Sequence, residues 1–205
     1  MYNPYDHYFN KAQKEWYKAR SAFKLEEIQQ KFHIFDKRMC SVLDIWCSPW
    51  SWLQYAASQM QQLKTNSWKL KDDCLIVWFD IKPTKISLPG VHTYQQDITD
   101  RDAVQGILST HKIDRVDCII SDMAPNTMWL KDIDAIRSFD LLEQWFWMFE
   151  ELLDKNGKAV VKVFMGPGFD EYVKRLKQLF GGKSIKVYKP DASRTQSKET
   201  YVIKV

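Results

Sequence analysis

The 205 residues suffice for one domain with a sizeable core and leave no room for a second catalytic domain. A chain that is 45% hydrophobic and 27% charged, with no run of about 18 apolar residues, is neither disordered nor collagenous nor membrane-spanning. Its net charge of +4 is uneven: residues 1–38 carry 8 Lys/Arg against 5 Asp/Glu, residues 39–157 carry 11 against 17, and residues 158–205 carry 11 against 4. Basic ends around an acidic middle suit a polyanion that meets the termini.

From the N-terminus, Met1–Arg20 is polar, aromatic and lysine-dotted, without the apolar stretch of a secretory signal, which predicts a cytoplasmic protein. Residues 1–38 read as a basic helical extension, with helical periodicity over Arg20–Phe35, and residues 39–205 as the core of the same domain. Along that core the pattern predicts a strand at Ser41–Ile45, a helix at Trp52–Leu63, and strands at Cys74–Phe79 and Val91–Gln95. It continues with a helix at Asp100–Thr110, a strand at Val116–Ser121, a helix at Ile133–Leu153, a strand at Lys158–Phe164, and a helix at Phe169–Phe180 behind Gly166-Pro167-Gly168. Strands at Ser184–Tyr188 and Thr200–Val205 close the chain, too near each other for a helical crossover, so they should pair antiparallel. The fold class is α/β: a doubly wound, mostly parallel sheet of seven strands with flanking helices and a C-terminal antiparallel hairpin. The cysteines at 40, 47, 74 and 118 and the histidines at 7, 33, 92 and 111 have no zinc-like spacing, so neither a disulfide framework nor a metal is implied.

In such sheets ligands bind beyond the carboxyl ends of the strands. Asp44, Asp80, Asp97 and Asp122 stand there in turn. A carboxylate after the second strand suits the two hydroxyls of a ribose and one after the third an adenine amino group, so a nucleoside cofactor is expected, although Asp is also an ordinary loop and N-cap residue. Lys162 interrupts the apolar run Val160–Phe164, where an ammonium is costly unless paired or needed; Asp122 nearby would orient it for acid–base chemistry.

Four segments, Arg20-Ser21-Ala22-Phe23-Lys24-Leu25, Ser121-Asp122-Met123-Ala124-Pro125-Asn126, Val161-Lys162-Val163-Phe164 through Gly168-Phe169-Asp170-Glu171-Tyr172, and Lys189-Pro190-Asp191-Ala192-Ser193-Arg194 through Glu199, resemble the FtsJ/RrmJ family of ribosomal RNA 2′-O-methyltransferases, and Met123 with Asn126 resembles its bacterial large-subunit rRNA members. The resemblance implies a Rossmann-like class I S-adenosylmethionine-dependent methyltransferase with a catalytic tetrad at Lys24, Asp122, Lys162 and Glu199, in which Lys162 acts on the ribose 2′-hydroxyl. It implies S-adenosylmethionine as cofactor, held by Asp44, Asp80, Asp97, Asp122 and the loop of Trp46, Cys47, Ser48, Pro49, Trp50 and Trp52. The implied partner is ribosomal RNA within a large subunit, bound by a monomer; Lys14, Lys18, Arg20, Lys37, Arg38, Arg194 and Lys198 are the expected phosphate contacts.

One departure matters. Trp46 and Trp50 stand where the family's cofactor loop has glycine, and Trp16, Trp78 and Trp129 fall on further glycine-like positions, while the chain holds 7 Gly and 9 Trp. A single cause would be UGA codons that the source reads as glycine, rendered here as tryptophan. The competing expectation is a catalytically impaired RNA-binding or ribosome-assembly factor whose cofactor loop is obstructed by Trp46 and Trp50. A dehydrogenase is disfavoured because no GxGxxG is present.

Overall fold

Alternation of side chains along each strand divides the apolar residues between the two faces of a sheet. The computed structural model describes residues 7–45, 50–65, 74–83, 86–124, 131–194 and 196–205. Its strands are β1 (Ser41–Ile45), β2 (Leu75–Asp80), β3 (Val91–Gln95), β4 (Val116–Ser121), β5 (Leu153–Phe164), β6 (Ile185–Tyr188) and β7 (Glu199–Lys204). They form one sheet in the order β3-β2-β1-β4-β5-β7-β6, parallel from β3 to β5, with β7 antiparallel to both neighbours. The expected antiparallel hairpin is present, and its second strand inserts between β5 and β6.

Among the described residues, seven helices flank the sheet: α1 (His7–Lys14), α2 (Ala22–Phe32), α3 (Ser51–Thr65), α4 (Arg101–Thr110), α5 (Lys131–Gln144), α6 (Trp147–Glu151) and α7 (Phe169–Phe180). Leu43, Val77, Ile119, Val161 and Val202 face a core closed by α4, α5, α6 and α7. Their neighbours Val42, Ile76, Cys118, Val160 and Ile203 face a second core with α2 and α3. Strand order reverses between β1 and β4, so their carboxyl ends open the crevice where doubly wound sheets bind ligands. No helix among the described residues is long and apolar enough to cross a membrane.

Local chemistry explains the boundaries. Asp100 caps α4 by accepting from Ala103 N at 3.1 Å, an interaction worth about 1 kcal/mol. Gly168 enters α7 at φ +90°, and a Cβ there would meet the Phe139 ring at 3.0 Å. Three expectations need correction. The helix expected over Ile133–Leu153 breaks into α5 and α6. β5 begins at Leu153 rather than Lys158: Leu153 pairs with Val116, and a register shift before the Cys118↔Lys158 pair leaves Gly157 in a bulged stretch, where a Cβ would lie 2.9 Å from Asp154 O and 3.0 Å from Asp117 O. A disulfide is present: Cys40 and Cys74 each precede a strand, and the pairing Ser41↔Leu75 brings their Cα atoms to 4.3 Å and joins them. Cys118 stays a buried free thiol, and burial raises its pKa.

Candidate active site

Each charged residue of the site ends an every-other-residue apolar stripe on the face that packs against α2 and α3. Asp44 follows Val42, Asp80 follows Trp78, Asp122 follows Ile120 and Lys162 follows Val160 by two positions; Glu199 precedes Tyr201 by two. The same period that buries the stripe thus aims its last member toward the crevice. Lys162 and Tyr201 lie opposite each other in the β5–β7 register, and Phe164 opposes Glu199, so the residues of the two strands meet across one ladder.

Two ion pairs result. Lys162 Nζ lies 3.0 Å from Asp122 Oδ1 and also donates to the Asp122 carbonyl. Lys24 Nζ, on the first turn of α2, lies 2.5 Å from Glu199 Oε1. Lys24, Lys162 and Glu199 are buried, where a charge without a partner would cost several kcal/mol, so the pairing compensates each charge and fixes the direction of each side chain. Tyr201 donates from its hydroxyl to Asp122 Oδ1 at 3.0 Å. Sequence reasoning missed that residue; its only signal was its place two residues after Glu199. Trp52 stacks on Tyr201 at 5.5 Å and donates from its indole nitrogen to Ser21 O at 2.9 Å. The Ser21 and Ser51 hydroxyls share a 2.6 Å hydrogen bond that ties α2 to α3 behind the site.

Asp44 is fully buried, and neither of its carboxylate oxygens has a hydrogen-bond partner among the described residues. Burial, with the charges of Asp122 and Asp80, pushes its carboxyl well above the usual range. Burial raises Asp80 too, against the bond that Oδ1 accepts from Lys82 N at 2.8 Å. An orphaned carboxylate beside two others calls for a ligand that brings hydroxyl or amino donors and positive charge. S-adenosylmethionine, with its ribose hydroxyls, ammonium and sulfonium, fits this donor set, and when bound it supplies a methyl group activated by the sulfonium charge. Asp97 lies just beyond β3, exposed, with Oδ1 accepting from Thr99 N and Thr99 Oγ1. Trp46, Cys47, Ser48, Pro49 and Trp129 lie outside the described residues.

The described tryptophans differ in backbone and bonding, and Trp145 and Trp147, like Trp78, bury an indole N–H with no partner among the described residues. Trp16 and Trp50 hold φ of +62° and +66°, the left-handed region where glycine is relaxed and a bulky side chain is not. Trp78 is buried with an indole N–H that has no partner among the described residues. Trp52 is bonded and stacked. The Trp50 indole packs beside the second core, with Lys18 Nζ 5.8 Å from its ring centre.

The expected phosphate contacts divide by location. Lys18 N donates to Gln54 Oε1, and Arg20 bonds Ala192 O at 2.5 Å, which places both beside the site's N-terminal wall, with exposed Lys14 at the end of α1. Exposed Arg194 and half-buried Lys198 lie on the β6–β7 connection that leads to Glu199; Lys198 is 3.5 Å from Asp132. Lys37 and Arg38 precede β1, at the amino ends of the strands, and Arg38 pairs with Asp36 there. They do not join the other five.

A nucleotide-type crevice at the sheet reversal, with a buried lysine–carboxylate tetrad beside it, defines a class I group-transfer enzyme. The chain belongs to the FtsJ-like methyltransferase family, whose model matches residues 17–205. Its fold is similar to that of a Plasmodium falciparum protein described as a ribosomal RNA methyltransferase (TM-score 0.73, 24% identity, covering 92% of this chain and 97% of that one). It is also similar to a TehB-like SAM-dependent methyltransferase of Corynebacterium glutamicum (0.53, 15%, 99% and 99%) and to human methyltransferase-like protein 13 in complex with SAH (0.52, 11%, 89% and 81%). The fold is that of the class I S-adenosylmethionine-dependent methyltransferases.

Proposed function

We propose that the chain methylates the ribose 2′-hydroxyl of large-subunit, 23S-type ribosomal RNA, as a monomeric cytoplasmic enzyme of the bacterial kind. The observation that carries this reading is the double ion pair Lys24–Glu199 and Lys162–Asp122, buried beside the orphaned Asp44. An ammonium has three donors; Asp122 takes two from Lys162, and the third is left for an incoming hydroxyl. The hydroxyl is thereby oriented; after the ammonium gives a proton to solvent, the neutral amine takes the hydroxyl proton as the oxygen forms its bond to the methyl carbon, while Asp122 compensates the charge that forms. Glu199 and Lys24 hold the neighbouring wall. Because the donor methyl is already electrophilic, alignment carries most of the rate. Lys14, Lys18, Arg20, Arg194 and Lys198 are the proposed phosphate contacts, and Asp44, Asp80, Asp97, Asp122 and the 46–52 loop the proposed cofactor site.

The test is transfer of labelled methyl from S-adenosylmethionine to large ribosomal subunits and to free rRNA, followed by alkaline digestion. A labelled dinucleotide that resists alkali marks a 2′-O-methyl group; label on a mononucleotide base would reject the ribose assignment.

The second reading, an impaired RNA-binding or assembly factor, rests on Trp50, a bulky residue in glycine's backbone region at the cofactor loop. Calorimetric titration of S-adenosylmethionine into the chain and into a form with glycine at 16, 46, 50, 78 and 129 separates the readings. Binding by the glycine form alone supports an active methyltransferase with recoded tryptophans. Binding by neither supports the second reading.

A further inference from the structure

One buried-face carboxylate of α2 is used neither by the tetrad nor by any partner on its own helix. Glu27 lies three residues after Lys24, hence on the same side of α2. Its Oε1 accepts from the Tyr188 hydroxyl at 2.5 Å and from Asp191 N at 2.8 Å, and its Oε2 accepts from Ala192 N at 3.2 Å. Three donors from the end of β6 and the connection after it, 161 to 165 residues away, thus converge on a single side chain. The clamp is reinforced: Arg20 holds Ala192 O, Ala192 is buried with Ala12 and Phe23, and Tyr188 packs edge-on against Phe32 with Lys31 Nζ 4.1 Å above its ring. α2 therefore holds the start of the β6–β7 connection through Glu27 and its end through the Lys24–Glu199 pair.

We infer that Glu27 is a positioning residue for the RNA substrate: it fixes the backbone that carries Arg194 and Lys198, so that both face the nucleic-acid phosphates. The inference rests on the RNA reading above. Its chemistry is indirect, because a carboxylate repels phosphate; the charge serves only to hold backbone and phenol donors. That gives the proposal a sign opposite to generic electrostatics. Loss of a negative charge from a basic surface should tighten RNA binding, whereas loss of the clamp should weaken it.

The test compares wild type, Glu27→Ala and Glu27→Gln in the full chain. Affinity for a fluorescein-labelled single-stranded RNA oligonucleotide is read by anisotropy over a salt series, S-adenosylmethionine affinity by calorimetry, and transfer to rRNA by steady-state kinetics. Glu27→Ala should weaken oligonucleotide binding and raise the KM for rRNA about tenfold. The slope of log affinity against log salt should become shallower by about 0.7 for each phosphate that the variant no longer neutralises. Cofactor affinity and kcat at saturating rRNA should stay within about twofold. Glu27→Gln, whose amide oxygen can still accept from Tyr188 and Asp191, should recover part of the loss, and it carries the test if the alanine variant does not fold. Tighter RNA binding by both variants, or a fall in kcat at unchanged KM, overturns the inference. If wild type transfers no methyl group but Glu27→Ala still weakens oligonucleotide binding with a shallower salt slope, the methyltransferase reading fails while the positioning role stands.

Discussion

The two ends of the central sheet both bury paired charge, but among the described residues only the carboxyl end leaves a buried acid unmet. At the amino ends, Asp117 Oδ2 accepts from Cys40 N, Ser41 N and Ser41 Oγ, Lys158 Nζ bonds His33 O and Asp36, and Lys204 Nζ bonds Lys155 O and Gly157 O. A cleft of about 220 Å³ lies there, lined by Asp36, Asp117, Asp154 and Lys158, and its acids and bases already answer one another. At the carboxyl ends Asp44 has no partner among the described residues, and Asp44 and Asp80 are both raised by burial. A folded chain leaves a buried acid unanswered where a ligand will answer it, so unmet hydrogen bonding marks the site better than the cleft does.

The largest expected effect comes from removing the base at the unsatisfied end. Lys162→Ala should lower kcat by about 10²–10⁴, the usual contribution of a general base, and leave S-adenosylmethionine affinity within a few-fold. Loss of cofactor affinity in calorimetry would instead place Lys162 in the cofactor site.

Paired isosteric changes sharpen the contrast between the ends. Asp117→Asn should destabilise the fold by about 1–3 kcal/mol, since a neutral amide oxygen turned to the same three donors loses the charge assistance of the carboxylate, with no change in cofactor affinity. Asp44→Asn should do the reverse: it removes a carboxyl whose ionisation the buried site disfavours, so the cofactor-free chain should gain about 1–3 kcal/mol at neutral pH while cofactor affinity falls about tenfold or more. Urea melts and calorimetry of the two variants read both quantities. Destabilisation of equal size by both changes would erase the distinction.

Acid should act on the two ends with opposite signs. Asp44 has a folded pKa above its unfolded one, so the folded chain binds the extra proton between the two values; this stability is fully present below the unfolded pKa and is lost as pH rises from there through the folded one. For Asp36, burial is outweighed by hydrogen bonds from Arg38 and Lys158, which hold its carboxyl well below the usual range. Its contribution is present above the ordinary carboxylate value and is lost as pH falls through the folded one. Stability from pH 7 to 3 should therefore fall less steeply in Asp36→Asn than in wild type, and more steeply in Asp44→Asn. Parallel curves for all three proteins would refute the assignment of these charges.

Local signals made most of this fold legible. The bounds of β1, β3, β4 and α7 follow the expectation because apolar runs and Gly166–Gly168 delimit them. β5 starts before the expected position because Asn156-Gly157 has the composition of a turn, and only the pairing of Leu153 with Val116 shows that the strand begins ahead of it, with 154–157 forming the irregularity before Lys158. The disulfide, the Tyr201–Asp122 bond and the Glu27 clamp were illegible for one reason: their partners are 34, 79 and 161–165 residues apart, and no local pattern encodes a meeting at that distance. Lys37 and Arg38 show the same limit for charge, since composition reveals a basic segment but not the end of the sheet at which it lies.

Backbone strain divides between the ends as well. At the amino ends His33, at φ +52°, closes α2 with its N–H on Gln29 O, and Lys112 follows α4, an ordinary use of left-handed backbone after a helix. At the other end the left-handed residues are Trp16, which closes α1 as Trp16 N donates to Gln13 O and Tyr17 N to Ala12 O, and Trp50, which precedes α3; both put a bulky side chain on backbone that favours glycine. Trp16 is 86% exposed, so its side chain contributes little packing. Relief of a left-handed non-glycine residue is worth about 1–2 kcal/mol, against about 0.5–1 kcal/mol for glycine's freedom in the unfolded chain. Trp16→Gly should therefore stabilise by up to about 1 kcal/mol, whereas Trp16→Ala, which keeps the Cβ, should not. Thermal melts of the two variants decide it: equal shifts would mean that the strain at Trp16 carries no free energy, and a gain confined to glycine is what a tryptophan in a glycine's place requires.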